Sequence, residues 1–161
     1  MSVVPTIRPR AVVASRLLAA LTAALCGVHA VLQGSGAAST WRPCFDEGFD
    51  SAICLDLQYT APSPWWTVLG WLWFLELALV IATVAFTARS GPRKDARFGA
   101  ALAAALLIGS SNMVLDYAGT PLINGGYVSA DNAPGFGYLG AGLLAAAAVG
   151  LVVAALWPRR R

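Results

Sequence analysis

One histidine and three cysteines are all the imidazole and thiol chemistry that 161 residues carry. A lone histidine, His29, excludes bis-histidine haem ligation, and no His/Cys cluster has zinc-site spacing. There is no C-x-x-C pair, no glycine-rich phosphate loop, no Ser/His/Asp set and no pair of catalytic carboxylates. No cofactor or metal is expected. Charge is equally scarce: 12% of residues are charged and 58% hydrophobic, with mean hydropathy +0.66. A soluble domain carries about 25% charged residues, so the sequence reads as an integral membrane protein. The net charge of +3 does not signal nucleic acid, because the basic residues fall in short clusters between apolar runs. Ten of the eleven are Arg and one is Lys94, which together with the Ala and Gly content suggests a bacterial source.

Those apolar runs are what the chain does have. Four stretches, at 11–33, 65–88, 98–117 and 136–157, hold almost no charge apart from Arg16, Glu76 and Asp116. A helix rises 1.5 Å per residue and the hydrocarbon core is about 30 Å thick, so about 20 residues are enough to cross. The expected fold is all-α: a four-transmembrane-helix bundle forming one membrane domain. Arg8, Arg10, Arg16, Arg89, Arg93, Lys94, Arg97 and Arg159 to Arg161 all fall on one side of such a bundle. The positive-inside rule makes that side cytoplasmic. The expectation is therefore a multi-pass plasma-membrane protein with both termini inside. The inside loop is 89–97 and the outside loops are 34–64 and 118–135. The N-terminus also reads as a signal peptide, with an Arg-rich start, an apolar core and small residues after it. Cleavage would leave three spans, but the apolar run is longer than a usual signal core, which favours a retained signal-anchor.

The first outside loop contains "TWRPCFDEGFDSAIC". Cys44 and Cys54 would face an oxidising compartment, where disulfides persist. They are expected to staple a small extracytoplasmic cap, with Cys26 left as a buried free thiol. The second outside loop has three turn signals, T-P, N-G-G and N-A-P-G, and is expected to pack on the first. The spacing Trp41-x-x-Cys44-x9-Cys54 is similar to the W-x-x-C-x9-C pattern of claudin-like tetraspan proteins. That resemblance covers fourteen residues. In the family the disulfide pins a small extracellular sheet that meets neighbouring molecules. Here the likeness is read as convergence on the same staple. The membrane thiol oxidoreductases of the disulfide-forming and vitamin-K-reductase types also carry a cysteine pair in the first outside loop. They need a second pair, for which this chain has no fourth cysteine.

Inside the spans, Glu76 stands out. It lies eleven residues after Trp65 and thirteen before Arg89, near the midplane. An acid there costs on the order of 2.5–3.5 kcal/mol on insertion scales and faces the interior as a functional site or as hydrogen-bonding glue. Asp116 with Asn112 one turn below it, and His29, are expected nearer the outer interface. His29 is read there as an interfacial residue without a partner. The picture is a polar funnel with Asp116 and His29 at its mouth, Asn112 below and Glu76 at its base, able to bind a proton, a cation or a polar head group. Gly142, Ala146, Gly150 and Ala154 recur every four residues, as do Ala101, Ala105 and Gly109. Such ridges let helices approach closely, so the third and fourth spans are expected to pack together, with dimerisation through the fourth as the alternative. Tryptophans gather around the outer end of the second span. Trp65 and Trp66 suit an interfacial belt, while Trp71 and Trp73 point to different faces.

Two functions are carried forward. The first is a non-enzymatic accessory subunit of a membrane complex, meeting a membrane-protein partner or further copies of itself. The second is a small oligomeric transporter, an ion- or proton-coupled carrier using Glu76.

Overall fold

The computed structural model describes residues 9–48, 50–59, 64–89, 94–111, 113–115 and 135–156. The second outside loop, Asp116 and Asn112 lie outside the described residues, as do the side chains of Trp65 and Trp66. Among the described residues the fold is all-helical, without strands. The helices are α1 (Pro9–Glu47), α2 (Ala52–Tyr59), α3 (Pro64–Arg89), α4 (Lys94–Gly109) and α5 (Gly135–Leu156). Three of them contain stretches long and apolar enough to cross a membrane: Arg10–Glu47, Val68–Arg89 and Gly137–Leu156. α4 has 16 residues, short of the 20-residue span expected over 98–117. At its end Ser110 N donates to both Leu106 O and Leu107 O, at 2.9 and 3.2 Å. This tightened turn interrupts the α-helix, which resumes as Val114 N donates to Ser110 O at 2.9 Å.

α1 departs most from expectation. The first span does not stop at Gln33; one 39-residue helix continues to Glu47. "GSGAAST" reads as loop because Gly and Ser disfavour helix in water. Here Ser35 and Ser39 hydroxyls donate back to Leu32 O and Gly36 O, at 3.2 and 2.9 Å, so the hydroxyls are satisfied within the helix. The small residues let α1 lie close to its neighbours: Gly34 faces Ala141, and Ala37 is fully buried.

The end of α1 explains the disulfide. Gly48 takes φ 96°, a conformation open to glycine at a helix C-terminus. Its N–H donates to Cys44 O at 3.1 Å, closing the helix. Ser51 then caps α2, its Oγ accepting from Cys54 N at 3.2 Å, as an N-cap serine does. The resulting corner returns Cys54 to within 4.8 Å of Cys44, Cα to Cα, and the two are bonded. Where the claudin-like pattern implies a sheet, the stapled segment is helical.

α1 packs along α5 and α3, and α4 packs along the same two helices. The core has three layers. Ala37, Trp41, Cys44, Cys54 and Leu69 form one end. Ala19, Ala100, Ala154 and Ala155 form the other. A central cluster, from Cys26 and Trp73 to Leu107 and Leu144, lies between them. Early α1 residues therefore share a layer with late α5 and early α4 residues, so neighbouring helices run antiparallel. The second end carries Arg10, Arg16, Arg89 and Arg97. There Arg97 Nη2 donates to Ala88 O at 2.8 Å, capping a carbonyl at the α3 C-terminus. The acids Asp46, Glu47, Asp50 and Asp56 belong to the capped end.

Candidate functional site: a buried His29–Glu76 pair

α3 buries Leu69, Trp73, Glu76, Val80, Thr83 and Thr87, at alternating spacings of four and three. That spacing keeps one stripe facing a neighbouring helix. α1 buries Ser15, Ala19, Thr22, Cys26, His29, Gln33, Ala37, Trp41 and Cys44 at spacings of three or four, alternating as far as Gln33. The two stripes meet with His29 Nδ1 2.9 Å from Glu76 Oε2, both side chains 0% exposed.

The sequence reading left His29 unpartnered and a level above Glu76; in the structure it is bonded to Glu76 and stands beside it. The extra length of α1 is the reason. Measured along the whole helix, His29 lies thirteen residues after Arg16 and thirteen before Arg42, about 20 Å from each. Glu76 is likewise thirteen residues from Arg89. Both belong to the middle of the structure.

With one proton between carboxyl and imidazole, over and above the ring's own N–H, the pair is net neutral, whether as imidazolium and carboxylate or as imidazole and carboxylic acid. Removing that proton leaves a net negative charge in an apolar core, which is costly unless paired or hydrogen-bonded. The pair is not fully satisfied. Glu76 Oε1, His29 Nε2 and the neighbouring Gln33 Oε1 are buried without a hydrogen-bond partner among the described residues. Buried polar groups are nearly always bonded, to protein or to ordered water, so each of these three atoms has room for a further partner.

Gln33 is the site residue that sequence reading missed, because it stood at the presumed end of a span. It lies one turn beyond His29, and its Nε2 points to Met113 O at 3.5 Å. The signal was the recurrence of Ser15, Thr22 and His29 every seven residues, with Cys26 and Gln33 repeating it beside them. Trp73, one turn from Glu76, donates Nε1–H to Leu107 O and Ser110 Oγ, each at 3.1 Å. It fixes α3 against α4, whereas Trp71 is 60% exposed. Cys26 is a buried free thiol one turn before His29.

The packing residues divide. Gly150 and Ala154 are buried against Gly99 on α4, whereas Gly142 and Ala146 are exposed. Ala101, Ala105 and Gly109 are exposed too; Ala100, Ala103 and Leu107 make the buried face of α4. A spacing of four advances about 40° past a full turn at 3.6 residues per turn, so a long row of this kind winds off the contact face.

Among the described residues, no group of three His, Cys, Asp or Glu side chains is placed to hold a metal ion. Comparison with protein-family models, curated proteins and solved structures finds no match.

Proposed function

We propose that this chain is a four-span plasma-membrane protein, with its arginine-bearing end cytoplasmic and its stapled cap outside. The fourth crossing is α4 continued past Ser110. Its His29–Glu76 pair is an intramembrane proton-binding site, and the protein works as a small proton-coupled carrier, oligomeric or joined to a partner. The observation that carries this reading is the pair itself: two titratable side chains, wholly buried, bonded to each other and each retaining a polar atom without a partner among the described residues. Ionisable groups at such depth mark proton and ion pathways. A purely structural contact would be expected to satisfy both partners.

The accessory-subunit reading is favoured by a different observation. Trp71 and Phe74 contact each other with ring centroids 5.9 Å apart and are 60% and 45% exposed, offering an aromatic surface to another membrane protein.

Infrared spectra of the chain in nanodiscs, titrated with pH, separate the two. A protonated-carboxyl band that responds to pH and disappears in Glu76→Gln supports the proton site. A Glu76 signal unchanged across the titration makes the pair structural glue and leaves the accessory reading in front.

A further inference from the structure

The buried polar side chains among the described residues are not scattered. Ser15, Thr22, His29 and Gln33 belong to α1 and Glu76, Thr83 and Thr87 to α3, while Ser110, just past α4, makes up the set. Ser15, Thr22 and His29 are each seven apart, as are Glu76 and Thr83, the period at which a position returns to the same seam. The two helices run antiparallel. From His29 opposite Glu76, seven residues back along α1 and seven forward along α3 therefore reach one level. Thr22 and Thr83 stand there, about 10 Å nearer the arginine end. Cys26 lies between, about 5 Å from the pair in rise, and within electrostatic reach of Glu76. Thr87 follows about 6 Å beyond the threonines and Ser15 about 5 Å after that. Successive groups thus stand about 5–6 Å apart in rise along the seam, a spacing for one or two bridging waters to a step.

Each hydroxyl hydrogen is held by its own helix. Ser15 donates to Val12 O at 2.9 Å, Thr22 to Leu18 O at 2.8 Å, Thr83 to Leu79 O at 2.8 Å and Thr87 to Val84 O at 2.9 Å. Each oxygen keeps two lone pairs that can accept from water. Toward the cap the character changes: beyond Gln33, the buried residues Ala37, Trp41, Cys44, Cys54 and Leu69 form an apolar plug. The α4–α5 side is Ala, Gly and Leu. On the helices packed around the pair, Cys26 is the nearest titratable group along α1; Arg10 and Arg16 on α1, Arg89 on α3 and Lys94, Asp95 and Arg97 on α4 belong to the arginine end, and Arg42, Asp46 and Glu47 on α1 to the capped end. On α5, Tyr138 sits at the capped end.

We propose that Ser15, Thr87, Thr22, Thr83 and Cys26 line a one-sided proton entry from the arginine-bearing end to His29–Glu76, closed toward the cap by the Trp41 layer. This rests on the proton-site reading above. A proton enters as hydronium and passes between waters held by the hydroxyl oxygens. It ends on Glu76 Oε1, the carboxylate oxygen that His29 leaves open. Nothing is oxidised or reduced, and water is the co-reactant.

The test uses the full chain in vesicles of known insertion direction. Dicyclohexylcarbodiimide, an apolar reagent that modifies protonated carboxyls, is the probe, and peptide mass spectrometry reads labelling at Glu76. Acidifying the arginine side should raise the labelling rate several-fold, and acidifying the cap side should not. Thr22→Val with Thr83→Val should slow the response at least tenfold, while Thr→Ser changes at both sites restore it. Normal native mass and helicity of the double variant would confirm that it folds. Labelling that follows cap-side pH, or a double variant indistinguishable from wild type, overturns the entry route and leaves the proton site standing. No labelling of Glu76 at any pH on either side overturns the proton site itself.

Discussion

Gly99 and Gly150 meet backbone to backbone across the α4–α5 crossing: a Cβ on Gly99 would stand 2.6 Å from Gly150 O, and one on Gly150 2.9 Å from Gly99 O. Neither atom is the end of a flexible side chain, so any larger residue must push the helices apart. Gly99→Ala should destabilise the fold by about 1–3 kcal/mol, the usual cost of overpacking. Gly142→Ala, where nothing lies within 4 Å, should stay within about 0.5 kcal/mol of wild type. Unfolding midpoints of both variants in the same detergent check this. Equal losses at the two positions would mean that α4 and α5 do not cross at Gly99.

The same pair shows what the sequence made legible. Composition and apolar run length sufficed for a helical chain with stretches long and apolar enough to cross a membrane, because that length and character are written in the sequence whatever the packing. The Cys44–Cys54 bond was legible from compartment and spacing. Facing was not. Gly142 and Gly150 are alike in sequence, yet one is exposed and the other is packed against the backbone of Gly99, since the choice depends on rotation about the helix axis. The His29–Glu76 bond was hidden for a related reason. Its visibility depended on the depth of His29, and that depended on whether "GSGAAST" ends a helix or continues it.

Removing one member of that bond strands the other in an apolar core, which in soluble proteins costs about 3–5 kcal/mol; membrane measurements of interhelical hydrogen bonds run lower, to about 1.7 kcal/mol at most. His29→Leu and Glu76→Leu should each destabilise. The double variant should be more stable than the sum of the two losses predicts, because no unpaired polar group then remains. A double-mutant cycle on unfolding free energy should give a coupling of about 1 kcal/mol or more, within the range for residues in direct contact. Additive losses would show that the two side chains do not bond in the membrane.

Thiol accessibility gives a count that needs no functional assay. Cys26 is free and buried, and Cys44 and Cys54 are bonded to each other. A maleimide should label none of them in the folded protein, one after unfolding without reductant, and three after unfolding with reductant. Replacing both bonded cysteines by Ala should lower stability by up to about 3 kcal/mol on the chain-entropy account of a short closed loop. Two reactive thiols in the folded state would place the cap in a reduced form and remove the staple.

The continuous α1 makes a prediction about backbone protection. A helix of 39 residues is about 58 Å long, nearly twice the hydrocarbon thickness of a bilayer, so on the four-span proposal it tilts or its outer third stands above the surface. If residues 34–47 are helical and packed, their amides are held by i→i−4 bonds, and Trp41, 1% exposed, is shielded by Leu69 and the disulfide. Hydrogen exchange of the reconstituted chain should then show residues 34–44 protected well above an open loop, with protection falling toward Glu47. Trp41→Ala removes the largest side chain of that layer and should cost about 3–5 kcal/mol if the layer packs as a core. It should also speed exchange selectively in residues 34–47 and in α2, leaving the His29–Glu76 region slow. Rapid exchange from Gly34 onward in the wild type would restore the short first span. It would return His29 to the interface and take away the geometry on which its bond to Glu76 depends.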